Sequence, residues 1–556
     1  MKLLKHFYVT ALITISLVSC KSIHKIPVPI AVQNGVEIGA KNMALTESEK
    51  QTWGHADIAT DTIPGMSILQ AYDFLKGKKS IEVIVAVNDS GIDLDHEDLK
   101  DVLWTNPKEI AGNGIDNDKN GYIDDIHGWN FLGDIYDENL EITRIIKLKS
   151  EKFEGKIDSE IDPKHKEEYD EYMKMKEVFD EKLDEASSEK EKYTFYLQMF
   201  ETSHDAMIAN TGKEDYDLAD VEAIVTVDAM LLKQKEFTLN ILNGGTSISD
   251  EIKQIQRGLD HYTSSVDNHY NLDFNPRKDL LGDDENDMST KYYGNGDPSN
   301  RQIDEIHGTH VAGIILASNG NGKGVDGVAI NAKLMSVRCV PNGDEYDKDV
   351  ALAFRYAVDN GAKVINTSFG KTYSMHADWV HEAIKYAEKH DVLIVNAAGN
   401  DAEDIDVVAT YPNDAPDLKE EISDNMITIG AIGSSYDKNM LAVFSNFGQI
   451  NVDIFAPGVK IYAPVPNNEY KYLSGTSMAS PSTAGVAAMI RSYYPELSAS
   501  QVKHILMNSG TIINFKVIKP GTEDELVSLS ELCVSGRIVN AFNAVKMADE
   551  MVVKKK

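Results

Sequence analysis

Three cysteines in 556 residues, at positions 20, 339 and 533, are too few and too widely spaced to frame a disulfide-stapled domain. Basic residues are also in deficit: 55 Lys and Arg stand against 89 Asp and Glu, a formal net charge of −34. That balance argues against a nucleic-acid partner, because phosphate binding needs clustered Lys and Arg. It suits a soluble protein that attracts cations. No apolar stretch reaches the ~20 residues of a membrane-spanning helix. The nearest approach is MKLLKHFYVTALITISLVSC at the start. Its basic end, short apolar core and small residues before a cysteine make a secretory signal.

LVSC resembles the bacterial lipobox. The resemblance implies a signal peptide over 1–19 and Cys20 as the lipidated first residue of an exported chain, anchored to the cell envelope by acyl chains. KSIHKIPVP, just after it, carries no acidic run, so the membrane face stays open. Residues 20–60 read as a linker. Cys339, closing the apolar run AKLMSVRC, and Cys533 read as buried free thiols.

Three motifs carry the chemistry. SIEVIVAV is a continuous β-branched run ending at Asn88-Asp89-Ser90-Gly91. It predicts a buried parallel strand that delivers Asp89 at its carboxyl end, where α/β sheets place their sites. HGTHVAGIILAS predicts a helix with an imidazole in its first turn and small residues that let it pack closely; spacing alone leaves both His307 and His310 open as a base. GTSMASPSTAGVAAMI predicts a second helix, with Ser477 at its N-terminus and Pro481 near its start. A hydroxyl there sits beside free N–H donors and the positive end of the helix dipole, which stabilise charge developing on an attacked carbonyl.

An acid, an imidazole and a hydroxyl in the order Asp89, His307, Ser477, each among glycines or small residues, resemble the subtilisin-like serine peptidases (subtilases) from about Thr62 to Ala544. The resemblance implies a mostly parallel α/β sheet flanked by helices. It also implies endopeptidase action through an acyl-enzyme, with Ser477 as nucleophile, His307 (the first His of its motif) as base and Asp89 as the acid that orients it. The matching segment VLIVNAAGND makes Asn400 an oxyanion donor, and VINTSFG makes Ser368, Phe369 and Gly370 a strand that pairs with peptide substrates. No catalytic cofactor is implied. Thr367, Phe369, Asn396 and Ser482 depart from the family pattern, and these departures touch the shape of the pocket more than the chemistry. The other reading of the same cleft is a catalytically silent lipoprotein that binds peptides.

Asp89 and His307 stand 218 positions apart, which implies a large insertion over 140–290 between peptidase segments 61–139 and 291–546, with a tail over 547–556. Tyr169, Tyr172, Phe179, Ala186, Phe200 and Met207 recur at helical spacing amid Glu and Lys, and further helices are expected over 218–239 and 248–262. The insertion therefore reads as a small helical subdomain, either a solvated decoration or a lid. Before it, GNGIDNDKNGYIDDIHGWNF places Asp116, Asp118, Asn120, Tyr122 and Asp124 at alternate positions, with Gly121 for the turn and Asp125 following. Oxygen ligands at every second residue around a glycine predict a structural Ca²⁺ loop. It departs from an EF-hand in having His127 where the bidentate Glu would stand.

Overall fold

The structure is a computed structural model that describes residue 41 and residues 43–554. The signal segment, Cys20 and most of the linker lie outside the described residues. Among those described, no helix is long and apolar enough to cross a membrane.

A nine-stranded sheet organises the chain. Its principal strands are β1 (Val83–Asp89), β2 (Gly128–Asn130), β3 (Ala332–Arg338), β4 (Ala362–Thr367), β5 (Leu393–Ala397), β6 (Met426–Ile432) and β7 (Ile454–Pro457). The spatial order runs from short edge strands Thr511–Ile512 and Arg537–Ile538 through β7, β6, β5, β4, β1 and β3 to β2. Every pair is parallel except the two short strands with each other. Because helices cover both faces, the strands are apolar on both. Val85 and Val87 join one core layer and Ala86 the other.

The helices His307–Leu316 and Thr476–Tyr493 pack on the first face, and Asp347–Asp359 with Ala377–Lys389 on the second. The entry helix Ile68–Leu75 buries Ile68, Ala71 and Leu75. β2 is an edge strand that exists because Gly128 carries no side chain: a Cβ there would lie 1.7 Å from the Ser336 carbonyl, at a φ of +137°. Cys339 and Cys533 are free and buried, in different core layers.

Between β2 and His307 the chain is mostly helical: Glu141–Phe153, a 46-residue helix Lys166–Thr211, Leu218–Glu222, Ala229–Asn243 and Ile248–Ser264. The expected helix over 218–239 is broken in two. The Asp228 side chain accepts from Met230 and Leu231 N–H and starts a new helix, while the β-branched run before it stays out, leaving Val225 and Val227 almost fully exposed. Two small cores hold the subdomain, one of Ile142, Ile146, Phe153, Tyr169, Tyr172 and Phe179, the other around Phe200, Met207, Val221 and Ile255.

The ends of the 140–290 segment are not separable from the peptidase core. Arg277, fully buried, donates both Nη atoms to Asp349 at 2.8 and 2.7 Å and Nε to Asp283 at 2.9 Å. Asp283 in turn accepts from the buried Lys348.

Candidate active site

Asp89 ends β1, and its backbone leads directly into the turn that carries the site. The carboxylate is 1% exposed. Oδ1 accepts from the Ser90 N–H and lies 2.7 Å from His307 Nδ1, so the imidazole donates from Nδ1 and presents Nε2 to the cleft. Burial works to lower the His307 pKa, but the charge and hydrogen bond of Asp89 outweigh it, and the net shift is upward. Ser90 and Gly91 join the two motifs. The Ser90 hydroxyl accepts from Gly308 N–H at 3.0 Å, serving as a cap from another element for a helix whose own N-cap, Ile306, has no side chain able to do so. Gly308 must be glycine, since a Cβ would sit 2.4 Å from the Ser90 carbonyl.

His310, the other candidate base, has no place in this arrangement. It is fully buried, and its Nε2 lies 3.1 Å from the Ile461 carbonyl and 3.0 Å from that of Lys471. Two acceptors oblige Nε2 to donate. Desolvation pushes the pKa down to about 4, so the ring stays neutral. It fastens its helix to the hairpin β8 (Ile461–Val465) and β9 (Glu469–Leu473).

Ser477 lies in the first turn of its helix, which begins at Thr476. Its hydroxyl donates to the Ser368 carbonyl at 3.0 Å, and the Ser368 hydroxyl donates to the Ser477 carbonyl at 2.9 Å. The second bond follows from Pro481: four residues on, proline lacks the N–H that would otherwise reach the Ser477 carbonyl. His307 Nε2 makes no hydrogen bond among the described residues. Asn400 is fixed by Thr476, whose N–H and hydroxyl both donate to Oδ1 at 2.8 and 3.1 Å. Nδ2 is left without a partner among the described residues, and the point where a Cβ on Gly475 would stand is 3.7 Å from Asn400 Nδ2 and 3.5 Å from Ser477 N. Asn400 Nδ2 and Ser477 N thus both lie near one point beside Gly475.

Ser368, Phe369 and Gly370 follow β4, with Ser368 buried, Phe369 half-buried and Gly370 exposed. The Asn366 amide donates to the Ser368 hydroxyl and its oxygen accepts from Ser480, a buried polar rung that holds the strand to the serine helix. The family departures find partners as well. Thr367 donates to Asn396 Oδ1 at 2.9 Å, and Ser482 donates back to Met478 O at 2.9 Å. Sequence reasoning missed Asn366, Ser90 and Glu305. Glu305 is buried and accepts from Gly91 N–H and Arg338 Nε, both at 2.7 Å.

The acidic loop gathers a set that differs from the expected one. Carboxylate oxygens of Glu109, Asp116 and Asp118 all lie within 4.8 Å of one another. Glu109, which the sequence pattern does not reach, keeps a buried Oε2 without a hydrogen-bond partner. Three carboxylates around an orphaned oxygen fit a hard divalent cation. Asn120 lies alongside, its N–H donating to Asp116 and Asp118 and its side-chain oxygen accepting from Tyr122 N–H. Asp124 and Asp125 hold other partners in this structure. Asp124 accepts from Asn113 and Gly114 N–H. Asp125 is buried against Asn106, Asn120 and Tyr356, and desolvation pushes its pKa up to about 6. The Tyr122 ring is spent on packing with Trp129, Phe131 and Tyr356.

Residues 80–525, well over half the chain, match the model of the subtilase family (peptidase S8). The chain belongs to the subtilase family. This subtilase is 42% identical over 188 residues to the thermophilic serine proteinase of Bacillus sp. (strain AK1), covering 34% of this chain and 42% of that protein. It is 36% identical to subtilisin DY of Bacillus licheniformis over 37% of this chain and 70% of the other. With thermitase of Thermoactinomyces vulgaris the identity is 34% over 46% of this chain and 77% of that one. The matched region spans less than half the length of the thermophilic proteinase.

Proposed function

We propose that this subtilase is a serine endopeptidase. Ser477 attacks the peptide carbonyl, His307 takes the hydroxyl proton at Nε2 and returns it to the leaving amine, and Asp89 holds the imidazolium at Nδ1. Asn400 Nδ2 and the Ser477 N–H receive the oxyanion, and Ser368, Phe369 and Gly370 pair with the substrate backbone. The observation that carries the reading is the 2.7 Å contact from Asp89 to His307 Nδ1, with Asn400 Nδ2 and Ser477 N close to one point beside Gly475. In the resting arrangement the serine hydroxyl is parked on the Ser368 carbonyl, and catalysis requires it to turn to His307 Nε2.

A Ca²⁺ ion held by Glu109, Asp116 and Asp118 would brace the loop ahead of β2, and Cys20 would tether the chain to the envelope by its acyl chains. A fluorophosphonate tests the catalytic reading directly. It should label wild-type protein at Ser477 with loss of peptidase activity and leave Ser477→Ala unlabelled. Absence of label on folded wild type, with peptide binding intact, would establish the silent binder instead.

A further inference from the structure

The strand that lines the cleft ends in a charge that does not reach water. Lys371 follows Gly370, and its side chain is 1% exposed. Its ammonium lies 3.0 Å from Asp347 Oδ1 and 3.4 Å from Glu141 Oε2, and donates to the Glu345 carbonyl at 2.8 Å. On its other side, the backbone of Lys371 exchanges two N–H···O bonds with Tyr411, each 2.9 Å. The residue that pairs with Tyr411 just beyond Gly370 is therefore held through its side chain by a buried ion cluster.

Glu141 is the first residue of the insertion's first helix. Its carboxylate also accepts from Met375 N–H at 3.0 Å and pairs with Arg144 at 2.6 Å. Arg144 Nη2 donates onward to the Asp344 and Glu345 carbonyls at 3.1 and 3.2 Å. The guanidinium of Arg144 and that of Arg277, from the far end of the insertion, lie 3.8 and 4.4 Å from the centre of the Tyr346 ring. Both ends of the insertion thus grip the segment 344–349 that supports Lys371. A buried ammonium is costly unless countercharges stay in place, so the position of Lys371 depends on where the insertion puts Glu141.

We propose that the insertion is a positioning element for the substrate strand, and that Glu141 acts on substrate through Lys371. The inference rests on reading residues 368–370 as that strand. A substrate long enough to pair with the strand senses Glu141, whereas a minimal ester that reaches only Ser477, His307 and the oxyanion donors does not. A solvated decoration would produce no such difference.

The test compares a tetrapeptide anilide with an N-acetyl amino-acid ester on the full-length protein and on Glu141→Gln, with active sites titrated. KM for the tetrapeptide should rise about fivefold, the low end of energetic coupling between sites, with kcat and the ester kinetics unchanged. The effects of Glu141→Gln and Lys371→Met on that KM should not add in the double variant. Equal loss on both substrates would mean simple destabilisation and overturn the proposal, as would an unchanged KM or additive effects. Should Glu141→Gln not fold, Arg144→Lys keeps the charge and should shift the same KM in the same direction, and no shift there overturns the proposal too. If the parent turns over neither substrate, the peptidase reading falls. The Kd of the tetrapeptide for parent and Glu141→Gln then reads this inference separately.

Discussion

Ser477 and Ser368 exchange hydrogen bonds, each hydroxyl donating to the other's backbone carbonyl, at 3.0 and 2.9 Å. The helix that begins at Thr476 and the segment that follows β4 are thereby registered to each other at the proposed nucleophile. Pro481 leaves the Ser477 carbonyl without its helical N–H, and the bond from Ser368 supplies a partner in its place.

The exchange predicts a compensating pair. Ser368→Ala leaves that carbonyl without its partner and should lower stability by ~1–3 kcal/mol. Adding Pro481→Ala supplies the missing helical N–H and should recover most of the loss in urea unfolding. A double variant less stable than Ser368→Ala alone would contradict the account.

Active-site substitutions should separate by role. Ser477→Ala should retain the fold and lose turnover on the order of a millionfold. Asn400→Ala should lower kcat about 100- to 1000-fold with little change in KM. His310→Ala should act on stability, because its ring is spent on the Ile461 and Lys471 carbonyls. Steady-state kinetics with thermal melts distinguishes these, and a melt of His310→Ala equal to wild type would refute its structural role.

The pH profile follows from the raised pKa of His307. Catalysis needs the neutral ring, so activity is lost as pH falls through that pKa, and the acid limb of kcat/KM should lie above the ~6.5 of an ordinary imidazole. Removing the charge with Asp89→Asn should move the residual limb downward. A limb that stays in place in this variant would show that Asp89 does not set the pKa.

Calcium should stabilise the folded protein through Glu109, Asp116 and Asp118. An ion bound only by the native loop adds about 2.7 kcal/mol at a hundredfold excess over its Kd. Melting curves with and without chelator, in the Ser477→Ala background to prevent self-digestion, should differ. Glu109→Gln and Asp118→Ala should each abolish the difference, whereas a full calcium response in Glu109→Gln would return the ligand set to the loop alone.

Truncations should mark where the insertion stops being removable. Replacing residues 198–251 with a short Gly/Ser turn excises the outer helical core and should leave a folded enzyme active on small peptides. Removing 150–284 also deletes Arg277 and Asp283, leaving the buried Asp349 and Lys348 without the opposite charges they pair with here, a loss of ~3–5 kcal/mol for a broken buried pair. Circular dichroism and ester hydrolysis on the two truncations should therefore diverge.

The sequence by itself determined the strand β1 and the helices that begin at His307 and Thr476, because strand periodicity, glycine spacing and helix starts are local properties of the chain; the choice of His307 over His310 and the role expected of Asn400 came from the resemblance to the subtilases. Tertiary structure alone decided the rest. His310 was separated from His307 by carbonyls more than 150 positions away. Glu109 entered the acidic cluster although it lies outside the alternating pattern, since folding brings its oxygen within reach of Asp116 and Asp118. Lys371 acquired one of its two countercharges from Glu141, 230 positions earlier, beside the nearer Asp347. Local patterning says which face of an element is apolar, but a buried charge is paired by whichever group the packed fold places beside it, and no local period encodes that choice.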